Sequence, residues 1–205
     1  MGTLTLPERA YLLGQEGREG DLATVVRAAV LAELSLRECL VEEDGTVRPS
    51  PTRRTGDPLL DGVLRTMSED KPRSWRGWMR RGARPTLCAV RDRLAATGVI
   101  TAETGRVLGI FPTTKVTADP ARLAAERSAV WNAIRGTGPV STADATLVAL
   151  LSVGEVGTVL SRRDRGEHKA RIAEFTDSAG AAVPALKHAL RQIRMSRAGA
   201  YGGGG

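Results

Sequence analysis

Aromatic residues are scarce: Phe, Trp and Tyr make up 3% of the 205 residues. A core with so few rings must be filled by Leu, Val and Ala, and hydrophobic residues reach 41%. Ala and Leu lead the helix scale, whereas sheets draw on β-branched and aromatic side chains, so the composition predicts a mostly α-helical chain. Cysteine is equally sparse. Cys39 and Cys88 each sit in an apolar run, which excludes a disulfide framework and a cysteine metal cluster. The two histidines, His168 and His188, have no ligand-like spacing. No Walker loop, no GxSxG elbow and no His-Cys-Asp set is present. The carboxylates mostly stand beside arginines or at helix starts. The sequence therefore reads as a non-enzymatic protein with no cofactor and no metal. The N-terminus lacks a charged-then-apolar signal segment, and Leu6 stands where a myristoylation site wants Ser or Thr; a reducing cytoplasm is expected.

Lysine is the last scarcity, limited to Lys71, Lys115, Lys169 and Lys187, although the net charge is +7 and the pI about 10.2. Arginine carries the charge. Its planar guanidinium grips phosphate with two parallel hydrogen bonds, where lysine offers a point charge. The composition thus fits a phosphate-rich or acidic partner, namely nucleic acid, lipid headgroups or an acidic protein. It also fits a merely solvated basic surface.

The chain reads as one domain over residues 3–196, followed by a flexible Gly-rich tail at 197–205. Pro7 opens a first helix. Asp21 is expected to cap a long helix, Leu22 to about Leu40, whose run Val25, Val26, Ala28, Ala29, Val30, Leu31 is apolar almost all round. That pattern belongs in a core. Arg27 and Glu33 interrupt it and argue against a membrane span. Asp44-Gly45 signals a hairpin. Asp57 and Pro58 start a helix to about Met67. Helices from Pro72 to about Gly82 and over 86–97 follow, the second ended by Gly98. Val99 to Phe111 alternates around Gly105, which is read as the turn of a second hairpin. Asp119-Pro120 and Ser141 begin two further helices, to Ile134 and Leu151, and two more are expected at about 163–175 and 180–195.

Three constellations stand out. On a single helix from Lys71 to Arg84, Arg73, Arg76, Arg80 and Arg84 would form a stripe opposite Trp75 and Trp78. The tryptophans would enter the core while the arginines meet water or phosphates. Arg27, in the apolar helix, must either pair with an acid such as Glu33 or line an anion pocket. The helix carrying Arg91 and Arg93, followed by the hairpin with Arg106, also describes a winged-helix nucleic-acid binder.

Several segments resemble the Golgi phosphoprotein 3 family in order: Leu4-Thr-Leu-Pro-Glu8, Leu31 to Leu40, Thr55-Gly-Asp-Pro-Leu-Leu-Asp61, Trp78, Arg93 to Ile100, and Phe111-Pro-Thr-Thr114. The Arg- and Ala-rich version looks bacterial. The resemblance implies a central hydrophobic helix surrounded by amphipathic helices, with a protruding β-hairpin. It implies a peripheral membrane protein that binds phosphatidylinositol 4-phosphate through an arginine pocket. Arg27 falls at the pocket arginine of the central helix and Arg84 at a second. A third basic position is Leu87 here, and the pocket tryptophan of eukaryotic members falls near Arg18. Arg76, Arg80 and Arg81 would add surface attraction. Val107, Ile110 and Phe111 of the hairpin would contact membrane or a second subunit. The implied partners are an anionic membrane, on its cytoplasmic face, and cytoplasmic tails of membrane proteins. The readings kept beside this one are a winged-helix nucleic-acid binder and a protein-binding adaptor.

Overall fold

The computed structural model describes residues 3–107, 111–156 and 159–201. Its order is α1 (Leu6–Gly14), α2 (Glu19–Leu36), β1 (Leu40–Glu43), β2 (Thr46–Pro49), α3 (Pro58–Glu69), α4 (Trp75–Arg80), α5 (Ala83–Ala96), β3 (Ile100–Val107), β4 (Phe111–Ala118), α6 (Pro120–Arg135), α7 (Thr142–Val153), α8 (Arg162–Glu167), α9 (Lys169–Ser178) and α10 (Ala182–Tyr201). The fold is mostly helical with two antiparallel hairpins, as the composition predicts.

Helix α2 is the axis. Every residue from Leu22 to Ala32 is buried, and Leu34 after them. One side of α2 packs with α7, α10 and Trp78 in the main core. Another packs with Tyr11, Leu87, Val90 and Leu94 from α1 and α5. A third meets Cys39, Leu60 and Leu64 under α3. No helix among the described residues is long and apolar enough to cross a membrane; α2 is apolar all round because protein surrounds it. It ends four residues before the expected Leu40. Glu38 turns left-handed at φ 56, and Cys39 N–H reaches back to the Leu34 carbonyl at 2.8 Å. That closure does with Glu38 what a glycine usually does. At the other end α2 begins at Glu19 with Arg18 as N-cap, so Asp21 lies inside the first turn.

The helix starts marked by Asp57, Asp119 and Ser141 stand where expected, and each side chain accepts a hydrogen bond from a first-turn N–H. The first hairpin turns through Asp44 and Gly45, both at positive φ. The second differs from the reading. Gly105 is no turn; it pairs with Thr113 within eight-residue strands. The connection falls at 108–110, outside the described residues. Val99, Ile100, Val116 and Ala118 anchor this hairpin against α5, while Thr101, Glu103, Lys115 and Thr117 are exposed. Helix α10 carries helical structure to Tyr201, into the segment read as a tail; residues 202–205 lie outside the described residues. The helix expected at about 163–175 is two, divided at His168.

The tryptophan segment also differs. Helix α4 is short and is capped by Ser74 rather than opened by Pro72. Arg73 lies before it, where its carbonyl accepts from Val47 N–H at 2.7 Å. Arg84 lies after it, in α5. Gly82, left-handed at φ 81, turns the chain between the two helices. The single arginine stripe is therefore divided among a loop and two helices. Trp78 is fully buried and donates Nε1–H to the Val47 carbonyl at 2.8 Å. Trp75 is half-buried and donates to Glu42.

Candidate functional site: a cleft floored by Arg27

Helix α3 and the start of α5 face each other across a cleft of about 840 Å³. Helix α3 contributes Pro58, Leu59, Gly62, Val63 and Thr66, and α5 contributes Pro85, Thr86, Ala89 and Arg93. Each set repeats at about four residues, which is one face of a helix. Arg81 and Gly82 close one end, and Arg27 reaches the cleft from α2.

Two polar locks hold these walls. Asp57 caps α3 through the N–H groups of Leu59 and Leu60 and accepts Arg93 Nη1 at 2.6 and 2.7 Å. Arg93 Nε lies 2.9 Å from buried Glu8 of α1, so one guanidinium joins three helices. Burial pushes the Asp57 carboxyl up, but the bonds from Arg93 and Leu60 outweigh it and hold it below its ordinary 3.8. In the second lock Asp61 accepts from the N–H and the hydroxyl of Thr55 at 3.0 and 2.7 Å. Gly56 between them is left-handed at φ 70, a conformation that other residues rarely adopt. The Thr55–Asp61 segment is thus a device that fixes the entry of α3.

Arg27 is only 3% exposed. Nε donates to the Trp78 carbonyl at 3.0 Å and Nη1 to Thr86 Oγ1 at 3.1 Å. No carboxylate is within ion-pair distance among the described residues. The pairing with Glu33 is not formed: Glu33 holds Arg37 at 2.6 Å and accepts Leu6 N–H at 3.0 Å. Burial lowers the Arg27 pKa to about 10, so it stays charged at neutral pH. Nη2 has no partner among the described residues. Gly82 packs against the guanidinium, where a Cβ would lie 3.7 Å from its carbon.

The structure does not bring Arg84 and Arg18 to this cleft. Arg84 has an 81% exposed side chain and lies 3.5 Å from Glu19. Arg18 is exposed and lines a separate, smaller hollow with Gly14, Asp21 and Gly154. Leu87 is buried in the α1–α5 cluster. Arg81 joins the cleft instead, bonded to Asp70 at 2.9 Å. Arg76 and Arg80 are exposed on α4. Val107 and Phe111 pair across the second hairpin, while Ile110 lies outside the described residues. Thr86, Gly82 and Gly62 were not among the expected site residues. A signal for Gly62 was present, since Pro58, Gly62 and Thr66 recur at intervals of four on the proline-started α3; Gly82 and Thr86 carry no such pattern.

The winged-helix reading requires α5 to present free arginines on a convex ridge. Arg93 is held by Asp57 and Glu8, Arg91 lies 3.4 Å from Asp92, and α5 forms the wall of a concavity. Those observations favour a pocket over a groove-reading helix.

The family model of Golgi phosphoprotein 3 (GPP34) matches residues 6–193, nearly all of the helical body. Among curated proteins, none matches the chain.

Proposed function

The chain belongs to the Golgi phosphoprotein 3 family, and from that premise we propose that it is a non-enzymatic peripheral membrane protein that binds anionic phospholipid headgroups in the Arg27 cleft. The observation that carries this reading is the buried guanidinium without a carboxylate at the base of a concavity. A buried cation lacking a counter-charge carries a desolvation cost of several kcal/mol; a ligand anion offsets it. The family's lipid is phosphatidylinositol 4-phosphate, and this ligand is carried over as part of the proposal. Exposed Arg76 and Arg80, with Arg81 at the rim, add attraction of about 1 kcal/mol each near an anionic leaflet. Arg84 and Arg18, outside the cleft, act in this reading as further surface charge. The hairpin residues Val107, Ile110 and Phe111 are assigned to membrane or subunit contact by the same resemblance, as are cytoplasmic tails as partners and the cytoplasmic face as the site of action.

The test is co-sedimentation with neutral vesicles and with vesicles carrying phosphatidylglycerol, phosphatidylinositol or its 4-phosphate. The reading expects pelleting with anionic vesicles only. Binding that favours the 4-phosphate supports the family's selectivity. No pelleting with any vesicle overturns the lipid reading and transfers the weight to a protein-binding role.

A further inference from the structure

Helices α9 and α10 both pack on α7, and a groove runs between them. It consists of two adjoining hollows of about 640 and 530 Å³ that share Ser152, Val153, Arg165 and Lys187. Helix α10 lines it from Val183 to Met195, a rise of about 18 Å. The side chains it presents, Pro184, Lys187, Arg191 and Met195, recur at three and four residues, which is one helix face. On α9, Lys169, Ile172, Ala173, Thr176 and Asp177 do the same. No residue of this groove lines the Arg27 cleft. Helices α7 and α10 pack on one side of α2 and α5 on another, so the two concavities are separate features of the fold.

The groove joins an apolar lining to cationic rims. Val153, Leu190 and Met195 line the first hollow. Met195 is 64% exposed, and Leu36 is its sole counterpart among the large hydrophobic side chains of the described residues. A methionine is unbranched and flexible, and adapts its shape to a partner. Arg165, Lys169, Lys187 and Arg191 stand around this lining, against the carboxylates of Glu155 and Asp177. Lys169, Lys187 and Arg191 are exposed and have no ion pair among the described residues. Arg9, Arg37, Arg73 and Arg93, by contrast, each hold a carboxylate. The free positive charge of this region is therefore gathered beside an exposed apolar side chain.

That combination selects among acidic partners. A bilayer surface would meet the rims and leave the lining of a concave groove unfilled. Among the described residues no Phe, Trp or Tyr lines either hollow, so nucleic-acid bases have no stacking platform. A groove between two helices accepts the apolar stripe of a third, and carboxylates flanking that stripe would meet the rims.

We propose that the α9–α10 groove binds an acidic amphipathic helix of a partner protein, its apolar stripe on Val153, Leu190 and Met195 and its carboxylates beside Lys169, Lys187 and Arg191. The inference goes beyond the lipid reading and does not depend on it.

The experiment titrates the full chain into a fluorescein-labelled synthetic peptide of about 12 residues, roughly 18 Å as a helix, and reads anisotropy. Its leucines stand at helical spacing and its glutamates on the other face; a scrambled peptide of the same composition is the control. The variants are Lys187→Glu/Arg191→Glu and Met195→Asp. Arg162→Glu/Arg163→Glu makes the same change of charge at exposed positions outside the groove. Circular dichroism melts establish that all three fold. The expected result is saturable one-to-one binding, about tenfold or more weaker in each groove variant and with the scrambled peptide, and changed less than about twofold in the Arg162/Arg163 variant. No binding, equal binding of the scrambled peptide, or an equal loss in the Arg162/Arg163 variant overturns the proposal. If the peptide does not bind and Lys187→Glu/Arg191→Glu abolishes pelleting with phosphatidylglycerol vesicles, the groove is a membrane contact and the peptide assignment falls.

Discussion

Arg27 Nε donates to the main-chain oxygen of Trp78 at 3.0 Å, so the charge of the central helix is held by the tryptophan helix through a neutral carbonyl and by no carboxylate. Replacing buried ionic groups with apolar chains of similar volume is often near neutral, and here the relief of desolvation offsets the loss of the bonds to the Trp78 carbonyl and Thr86. Arg27→Met is therefore expected to change unfolding stability by no more than about 1 kcal/mol while abolishing ligand binding. Urea unfolding measures the first quantity; a loss of several kcal/mol would mean that Arg27 serves the fold.

Asp57 predicts a pH dependence. Its folded pKa lies below the ordinary 3.8, so its contribution is fully present above the unfolded value and is lost as pH falls through the folded one. Stability should therefore decline below about pH 4. Asp57→Asn keeps a good N-cap for α3 but strips Arg93 of its charged partner, and is expected to cost about 2 kcal/mol at neutral pH. It should also flatten the acid limb of a plot of unfolding free energy against pH. A limb as steep as wild type would assign the acid sensitivity to other carboxylates.

Trp78→Phe removes the Nε1–H bond to Val47 and leaves a gap at a fully buried position. The carbonyl it abandons lies on β2, so the first hairpin loosens with it. The expected loss is about 2–3 kcal/mol in chemical denaturation. A loss under half of that would show that the hairpin is held by β1–β2 pairing alone.

Gly62→Ala works in the opposite direction. The residue is inside α3 with open space at its Cβ, and an alanine there is expected to raise stability by about 0.5–1 kcal/mol. Thermal unfolding tests this; a lower midpoint would mean that the backbone at Gly62 needs freedom the helix does not show.

The caps explain why so much of the fold is legible in the sequence. Asp57-Pro58, Asp119-Pro120 and Ser141 state the helix starts in side chains that bond the next turn, and the apolar run of α2 states its burial. What stays hidden is set by tertiary contacts. Nothing local says that Glu38 will adopt a left-handed turn and stop α2, or that Gly105 will lie in a strand paired with Thr113. The site shows the same division. Arg27 stands out because a charge in an apolar helix needs a reason. Its companions do not follow from spacing alone, because Gly82 turns Arg84 away toward Glu19 and leaves Arg81 at the cleft. The helical stripe from Arg73 to Arg84 assumes one continuous helix, and Ser74 and Gly82 divide it.

Arg76→Ala/Arg80→Ala separates surface attraction from the cleft. Both side chains are exposed, so stability should stay within about 0.5 kcal/mol of wild type. Affinity for phosphatidylglycerol vesicles should fall by about 2 kcal/mol, since each basic residue near the surface contributes about 1. Added salt should reduce that difference. Unchanged binding would place α4 away from the membrane.

The central claim is that the uncompensated charge of Arg27 recruits an anionic lipid. The most direct measurement is sedimentation of wild type and Arg27→Met with phosphatidylglycerol vesicles at matched stability. The account predicts that wild type pellets with these vesicles and not with neutral ones, and that Arg27→Met stays in the supernatant although it folds as well. Equal pelleting of the two proteins would contradict it and leave only a basic surface.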